Sequence, residues 1–265
     1  FGKLLIYNQA KKSVLQKTQG FYSAPLKALE VIRDSYHKPI AKGLDREARG
    51  FAEVATLAQS KHLIDLFFCN EALKKENGPQ SGPPQAVDLV GLLGGGLMGG
   101  GIAWALVNNA FKVRIKELNW LLIAKALQTS DALFKKQVQR RRLKPYMKTL
   151  KMDAISGTLD YQGLSTSQLI IEAIPETMDL KKTVFAELEP FVPKDCIIAS
   201  NTSALSISEM ATAFRHPERF IGMHFFSPVN RMPLVEVIPG KHTSPETITT
   251  VVKVAKKMGK VPIIV

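Results

Sequence analysis

Cysteine is scarce: Cys69 and Cys196 are the two among 265 residues. Two cannot build the disulfide framework of a small secreted domain. Cys196 opens the apolar run Cys196-Ile197-Ile198-Ala199, which reads as a buried strand, and a reducing compartment is expected. Long apolar runs are also missing. None approaches the roughly 20 residues of a membrane span, so no membrane span is expected. There is no internal repeat and no cleavable apolar leader, and no residues are assigned to a metal. The chain opens at Phe1 rather than Met. With no targeting segment visible, the bacterial cytoplasm is the expected location, and a mitochondrial or peroxisomal matrix is the alternative.

What is present fits a globular protein. Hydrophobic residues make up 45% and charged residues 22%, close to the soluble average. The length suits one large domain or two small ones. Lysine and arginine outnumber acids 36 to 23, for a net charge of +13. The excess is concentrated in Lys135 to Lys151 and Lys253 to Lys260. Such patches suit polyanions, either nucleic acid or the phosphates of coenzyme A, and they equally suit a solvated helix face.

Residues 1–74 carry apolar positions at helical spacing, such as Leu26, Leu29 and Ile32 after Pro25, then Phe51, Val54 and Ala58. They predict several short helices. Residues 75–86 are polar and rich in proline and glycine, and read as a linker. From residue 87 short apolar runs alternate with longer amphipathic stretches, the pattern of successive βαβ units. Strands are expected at Val87 to Leu93, Lys112 to Lys116, Leu169 to Ile174, Cys196 to Ser200, Phe220 to Phe225 and Leu234 to Ile238. Helices are expected at Leu97 to Asn109, Trp120 to about Arg142, Leu180 to Phe191, Ile207 to Ala213 and Pro245 to Met258. The predicted class is α/β: a Rossmann-type, doubly wound, mainly parallel sheet preceded by a short all-helical segment.

Directly after the first strand stands Gly94-Gly95-Gly96-Leu97-Met98-Gly99, a G-x-G-x-x-G at the point where a helix must start. In such a turn Gly94 permits the bend, Gly96 lets the backbone approach a pyrophosphate, and Gly99 allows close packing of helix on strand. The dinucleotide's charge then meets the positive end of the helix. An acid at the end of the next strand, about 20 residues on, is needed for the ribose hydroxyls, and Glu117 stands there. A carboxylate at that place disfavours the 2′-phosphate of NADP and so favours NAD. A flexible glycine loop, or a flavin or nucleotide-sugar site on the same fold, are the competing readings.

Three segments in this order resemble the 3-hydroxyacyl-CoA dehydrogenase family: residues 90–101, Ala199-Ser200-Asn201-Thr202-Ser203, and His224-Phe225-Phe226-Ser227-Pro228-Val229. The resemblance covers about residues 86–265. Residues 1–74 also look like the helical connector of multifunctional fatty acid oxidation α subunits, in which an enoyl-CoA hydratase precedes the dehydrogenase. It implies oxidation of L-3-hydroxyacyl-CoA to 3-oxoacyl-CoA with NAD in β-oxidation. A thiolase β subunit is the implied protein partner, and nucleic acid is not. A non-catalytic dinucleotide- or nucleic-acid-binding module is the alternative.

Carried over by position, the resemblance makes His224 the general base, Glu236 its partner and Ser203 the residue beside the reacting oxygen and the nicotinamide. Imidazole suits this work because its pKa, about 6.5, allows proton transfer at neutral pH. A histidine between apolar neighbours would otherwise read as a core residue. Cofactor positions implied are Gly94, Gly96, Leu97, Met98, Gly99, Glu117, Ile174, Pro175, Glu176, Lys181, Ser203 and Ser227. Composition alone would make Glu176 a helix-start acid and Lys181 a solvated lysine. Asn201 is expected to shape the turn presenting Ser203. Lys135, Lys136 and Arg140 are placed against coenzyme A phosphates, or else belong to a solubilising face. The sequence departs from the usual family pattern at Gly95, Gly100, Glu117, Pro175 and Ser227. The family's unit continues into a helical domain beyond the position of Val265, so NAD binding with little turnover is expected of this chain.

Overall fold

A computed structural model describes residues 2–79 and 83–265; Phe1 and positions 80–82 of the expected linker lie outside the described residues. The chain divides into two compact units, Phe1–Glu71 and Ala72–Val265. Among the described residues no helix is long and apolar enough to cross a membrane.

The first unit is helical: α1 (Gly2–Thr18), α2 (Ser23–Ser35), α3 (Ile40–Ala55) and α4 (Ala58–Lys75), the last running past the unit's boundary. Among its described residues only Gly50 is fully buried. That glycine sits where α3 meets α2, and a Cβ there would come 2.7 Å from a Val31 methyl.

The second unit is a parallel-type sheet with helices on both faces. Its strands are β1 (Leu89–Leu93), β2 (Lys112–Lys116), β3 (Ile155–Thr158), β4 (Leu169–Glu172), β5 (Ile197–Ser200), β6 (Phe220–Phe225), β7 (Leu234–Pro239) and β8 (Val261–Ile264). Their order is β3-β2-β1-β4-β5-β6-β7-β8. All neighbours pair parallel except β6 and β7, which are antiparallel. The first six strands follow the dinucleotide-binding order, in which the strand order reverses between β1 and the parallel β4 and leaves a crevice at their carboxyl ends.

The central strands form because they are buried on both faces and need no alternation: all four residues of β4 and of β5 are buried. One face carries α5 (Leu97–Asn108) and α10 (Pro245–Lys257), packed on Val90, Leu92, Ile171 and Val237. The other carries α8 (Met178–Leu188) and the short α9 (Ile207–Met210), with Phe185, Leu188 and Met210 against Ile170, Ile198 and Phe220. The helix α6 (Trp120–Gln139) starts where the Asn119 side chain accepts from the Leu122 amide at 3.0 Å. α10 starts the same way at Ser244, with Pro245 in its first turn.

Several elements differ from expectation. The helix predicted to run to Arg142 stops at Gln139, because Arg141 takes a left-handed conformation with φ of 57°. α7 (Pro145–Asp153) and β3 were not foreseen. The Ile-Ser-Gly-Thr of β3 is short and mostly polar; Gly157 belongs there because a Cβ would come 2.6 Å from Ile123. β1 begins at Leu89 rather than Val87, and β4 ends at Glu172 rather than Ile174. α8 begins at Met178 and ends at Leu188, with a turn of 3₁₀ helix at Glu189–Phe191. The described residues on either side of positions 80–82 in the stretch read as a linker are pinned along α10. Lys256 donates to the Lys74 carbonyl and the Asn77 side chain, each at 2.9 Å. Thr249 donates to the Pro79 carbonyl at 2.7 Å, and the Gln85 amide donates to Thr250 at 3.0 Å. Polar backbone too poor in side chains to pack is satisfied here by hydroxyl and ammonium groups on the helix.

Candidate active site

The glycine turn occupies the crevice end of β1. Gly94 has φ of 95°, and a Cβ there would meet the Ala173 carbonyl at 2.6 Å. Gly99 lets α5 start against the turn itself, since a Cβ would sit 2.0 Å from the Gly94 carbonyl oxygen. Gly96 is different. Its φ is −65° and a Cβ would find nothing within 4 Å. Nothing inside the protein therefore demands glycine at that position. The bare backbone faces open space in front of the helix N-terminus, as the approach of a pyrophosphate requires. Leu97 is largely exposed at this end, while Met98 turns onto the core.

Glu117, one residue beyond β2, is buried. One carboxylate oxygen accepts from the Gly95 amide at 2.6 Å and the other from the Leu118 amide at 3.0 Å. It thus braces the glycine turn, and its remaining lone pairs can still accept from ribose hydroxyls. The brace to Gly95 is a role that sequence reasoning missed.

Beyond β4 the chain turns through Ala173, Ile174 and Pro175. Glu172 at the strand's end is fully buried. It accepts from Lys181 at 2.6 Å, from the Ile174 amide at 2.8 Å and from the Ser200 hydroxyl at 2.5 Å. Lys181 is buried as well, with only 1% of its side chain exposed. Its ammonium also reaches Glu176 at 3.3 Å and the Ile174 carbonyl at 3.4 Å. The solvated lysine that composition suggested is instead a buried cross-link. Glu176 accepts at one oxygen from the Thr202 hydroxyl (2.6 Å), the Ser203 amide (2.7 Å) and the Ala204 amide (3.2 Å). Burial pushes its carboxyl up, but these hydrogen bonds and the Lys181 charge outweigh that and hold it below its ordinary value.

Asn201 follows β5. Its amide donates to the Glu172 carbonyl at 2.8 Å, and its side-chain oxygen accepts from the Phe225 amide at 2.8 Å. It fastens the serine loop to β6 rather than merely shaping a local turn. Antiparallel register places His224 of β6 directly opposite Glu236 of β7. Neighbours Met223 and Phe225 point into the core, so alternation turns His224 the other way. Nδ1 of His224 lies 2.7 Å from Glu236, and Nε2 lies 3.2 Å from the Ser203 hydroxyl. A carboxylate at Nδ1 holds a proton on that nitrogen, which leaves the Nε2 lone pair free to accept one. Ser227 is exposed in the loop after β6 and joins Pro228 through a cis peptide.

Lys135 pairs with Asp131 at 2.7 Å, and Lys148 of α7 pairs with the same carboxylate at 2.5 Å. Those two ammonium groups, that of Lys135 first, hold the Asp131 carboxyl below its ordinary value. Arg140 caps the end of α6. Among the described residues none of Lys135, Lys136 and Arg140 bonds to Ser203, His224 or Glu236.

A glycine turn at the switch point of a 3-2-1-4-5-6 sheet, facing a Ser–His–Glu chain at the same edge, defines a Rossmann-fold dehydrogenase. A family model described as 3-hydroxyacyl-CoA dehydrogenase, NAD binding domain, matches residues 89–265. Among solved structures, (S)-3-hydroxybutyryl-CoA dehydrogenase PaaH1 from Ralstonia eutropha is 35% identical with a TM-score of 0.66, covering 68% of this chain and 64% of its own. FadB2 from M. tuberculosis is 31% identical with a TM-score of 0.66 and the same coverage. The dehydrogenase part of multifunctional enzyme 1 from C. elegans is 29% identical with a TM-score of 0.64, covering 75% of this chain and 47% of its own. The chain belongs to the 3-hydroxyacyl-CoA dehydrogenase family, and its cofactor is NAD. It spans less than two thirds of the length of these relatives.

Proposed function

We propose that the chain serves in the oxidation of L-3-hydroxyacyl-CoA to 3-oxoacyl-CoA during fatty acid β-oxidation, as the part that binds NAD and carries the base. The observation that supports this reading most is the continuous Ser203–His224–Glu236 chain at the carboxyl edge of the sheet. Bound NAD supplies the acceptor for the hydride leaving C3 of the substrate. Nε2 of His224 takes the hydroxyl proton as that hydride departs, while Glu236 holds the ring's orientation and stabilises the imidazolium that forms. The Ser203 hydroxyl, already aimed at Nε2, orients the reacting oxygen. The amides opening α5 hold the pyrophosphate, and Glu117 accepts from the adenosine ribose.

The helical unit ahead of β1 supports a place in a multifunctional chain, as does the likeness to the dehydrogenase part of multifunctional enzyme 1 from C. elegans. The test is the rate of NADH formation from L-3-hydroxyacyl-CoA in a single turnover with stoichiometric protein. His224→Ala is expected to lower it by about 100- to 10,000-fold, the usual worth of a positioned base, with NAD binding retained. Undiminished turnover in that variant would show that another group takes the proton.

A further inference from the structure

We propose that Glu172 is a positioning residue: through Lys181 and Glu176 it holds the Ser203 hydroxyl against Nε2 of His224, without itself touching cofactor or substrate. Its catalytic consequence rests on the dehydrogenase reading above. Glu172 and Lys181 are both buried where the sheet meets α8. Taking two charges out of water is costly, and apolar side chains would fill the same space without that cost. What the pair adds is direction. Glu172 binds the Ser200 hydroxyl at the end of β5 and the Ile174 amide beyond β4, so the exits of the two strands share one carboxylate. Lys181 extends the link to Glu176 at 3.3 Å, and Glu176 gathers the Thr202 hydroxyl with the amides of Ser203 and Ala204. The bonds that Glu172 and Glu176 accept are directional and charge-assisted, the Lys181–Glu176 ion pair joins the two carboxylates, and together they fix the serine loop more tightly than apolar packing would. The loop's far end is fastened by Asn201 to the Phe225 amide, next to His224. Ser203 is therefore held from both sides.

The test reads His224 directly. In ¹⁵N-histidine-labelled protein the His224 signals are assigned by their loss in His224→Ala. The chemical shift of Nε2 is then compared in the parent, Ser203→Ala, Glu172→Gln and the combined variant. The expected result is that Glu172→Gln moves the Nε2 signal in the same direction as Ser203→Ala, and that the combined variant moves it no further than Ser203→Ala alone. An unmoved signal in Glu172→Gln, or fully additive shifts, would overturn the proposal. If Glu172→Gln does not fold, Glu172→Gln with Lys181→Met removes both buried charges, and the same outcomes decide. In turnover the Glu172 variant is expected to lose about 100-fold in kcat, as a misplacement of the order of 1 Å does, with KM for NAD little changed; an unaltered kcat counts against positioning. If the parent fails to bind NADH, the dehydrogenase reading falls, while the histidine spectra still decide whether Glu172 places Ser203.

Discussion

The glycines of the turn look alike in sequence but carry different loads. A Cβ on Gly99 would overlap the Gly94 carbonyl at 2.0 Å, whereas one on Gly96 would meet no protein atom. Gly99→Ala should therefore destabilise the protein by about 3 kcal/mol, the upper range for overpacking, and lower the melting temperature. Gly96→Ala should leave the melting temperature unchanged yet weaken NADH binding by about tenfold or more, the equivalent of about 1.4 kcal/mol. Calorimetry and fluorescence titration on the two variants separate these effects. A Gly96→Ala protein with undiminished NADH affinity would remove the pyrophosphate from this turn. The glycines and the acid at Glu117 were legible in sequence because their chemistry is local. Lys181 was not: nothing in its immediate sequence reveals that Glu172, nine positions earlier, would be buried against it.

At the scale of elements, the loop after β4 and the loop after β5 are joined by Glu176. Its native carboxyl lies below the ordinary value of 4.5. The folded state therefore favours the ionised form, and the stabilisation is fully present above that ordinary value. It is lost as pH falls through the lower native value. Thermal melts of the parent and Glu176→Gln should differ near neutral pH and converge as pH drops below the ordinary carboxylate range. A gap that stayed constant across this range would mean that the carboxylate's charge contributes nothing to the link. The pairing of His224 with Glu236 was legible through the family resemblance alone; the antiparallel register of β6 and β7 that brings them together was not expected. β3 escaped notice because its four residues, Ile155–Thr158, include a serine, a glycine and a threonine. The span of α7 carries little apolar pattern and was absorbed into the basic run after α6. The link from Asn201 to Phe225 joins residues 24 apart and becomes visible only when β5 and β6 are side by side.

The molecule as a whole is uneven. In the unit Phe1–Glu71 apolar side chains such as Ile40, Phe51, Phe67 and Phe68 are exposed, while strands β4 and β5 of the other unit are buried throughout. Amides of α1 to α4 should therefore exchange hydrogen through local opening far faster than those of β1, β4 and β5, as mass-resolved exchange would show. Equal protection in both units would mean that the helical unit is stabilised by packing absent from its own interior. The central claim concerns transfer between a substrate carbon and NAD beside His224, and a single turnover with stoichiometric protein tests it even where turnover is slow. L-3-hydroxybutyryl-CoA deuterated at C3 is mixed with NAD, and the NADH is analysed by mass spectrometry. The account predicts deuterium at C4 of the nicotinamide with the parent protein and little with His224→Ala. NADH without deuterium, or equal labelling in the variant, would contradict it.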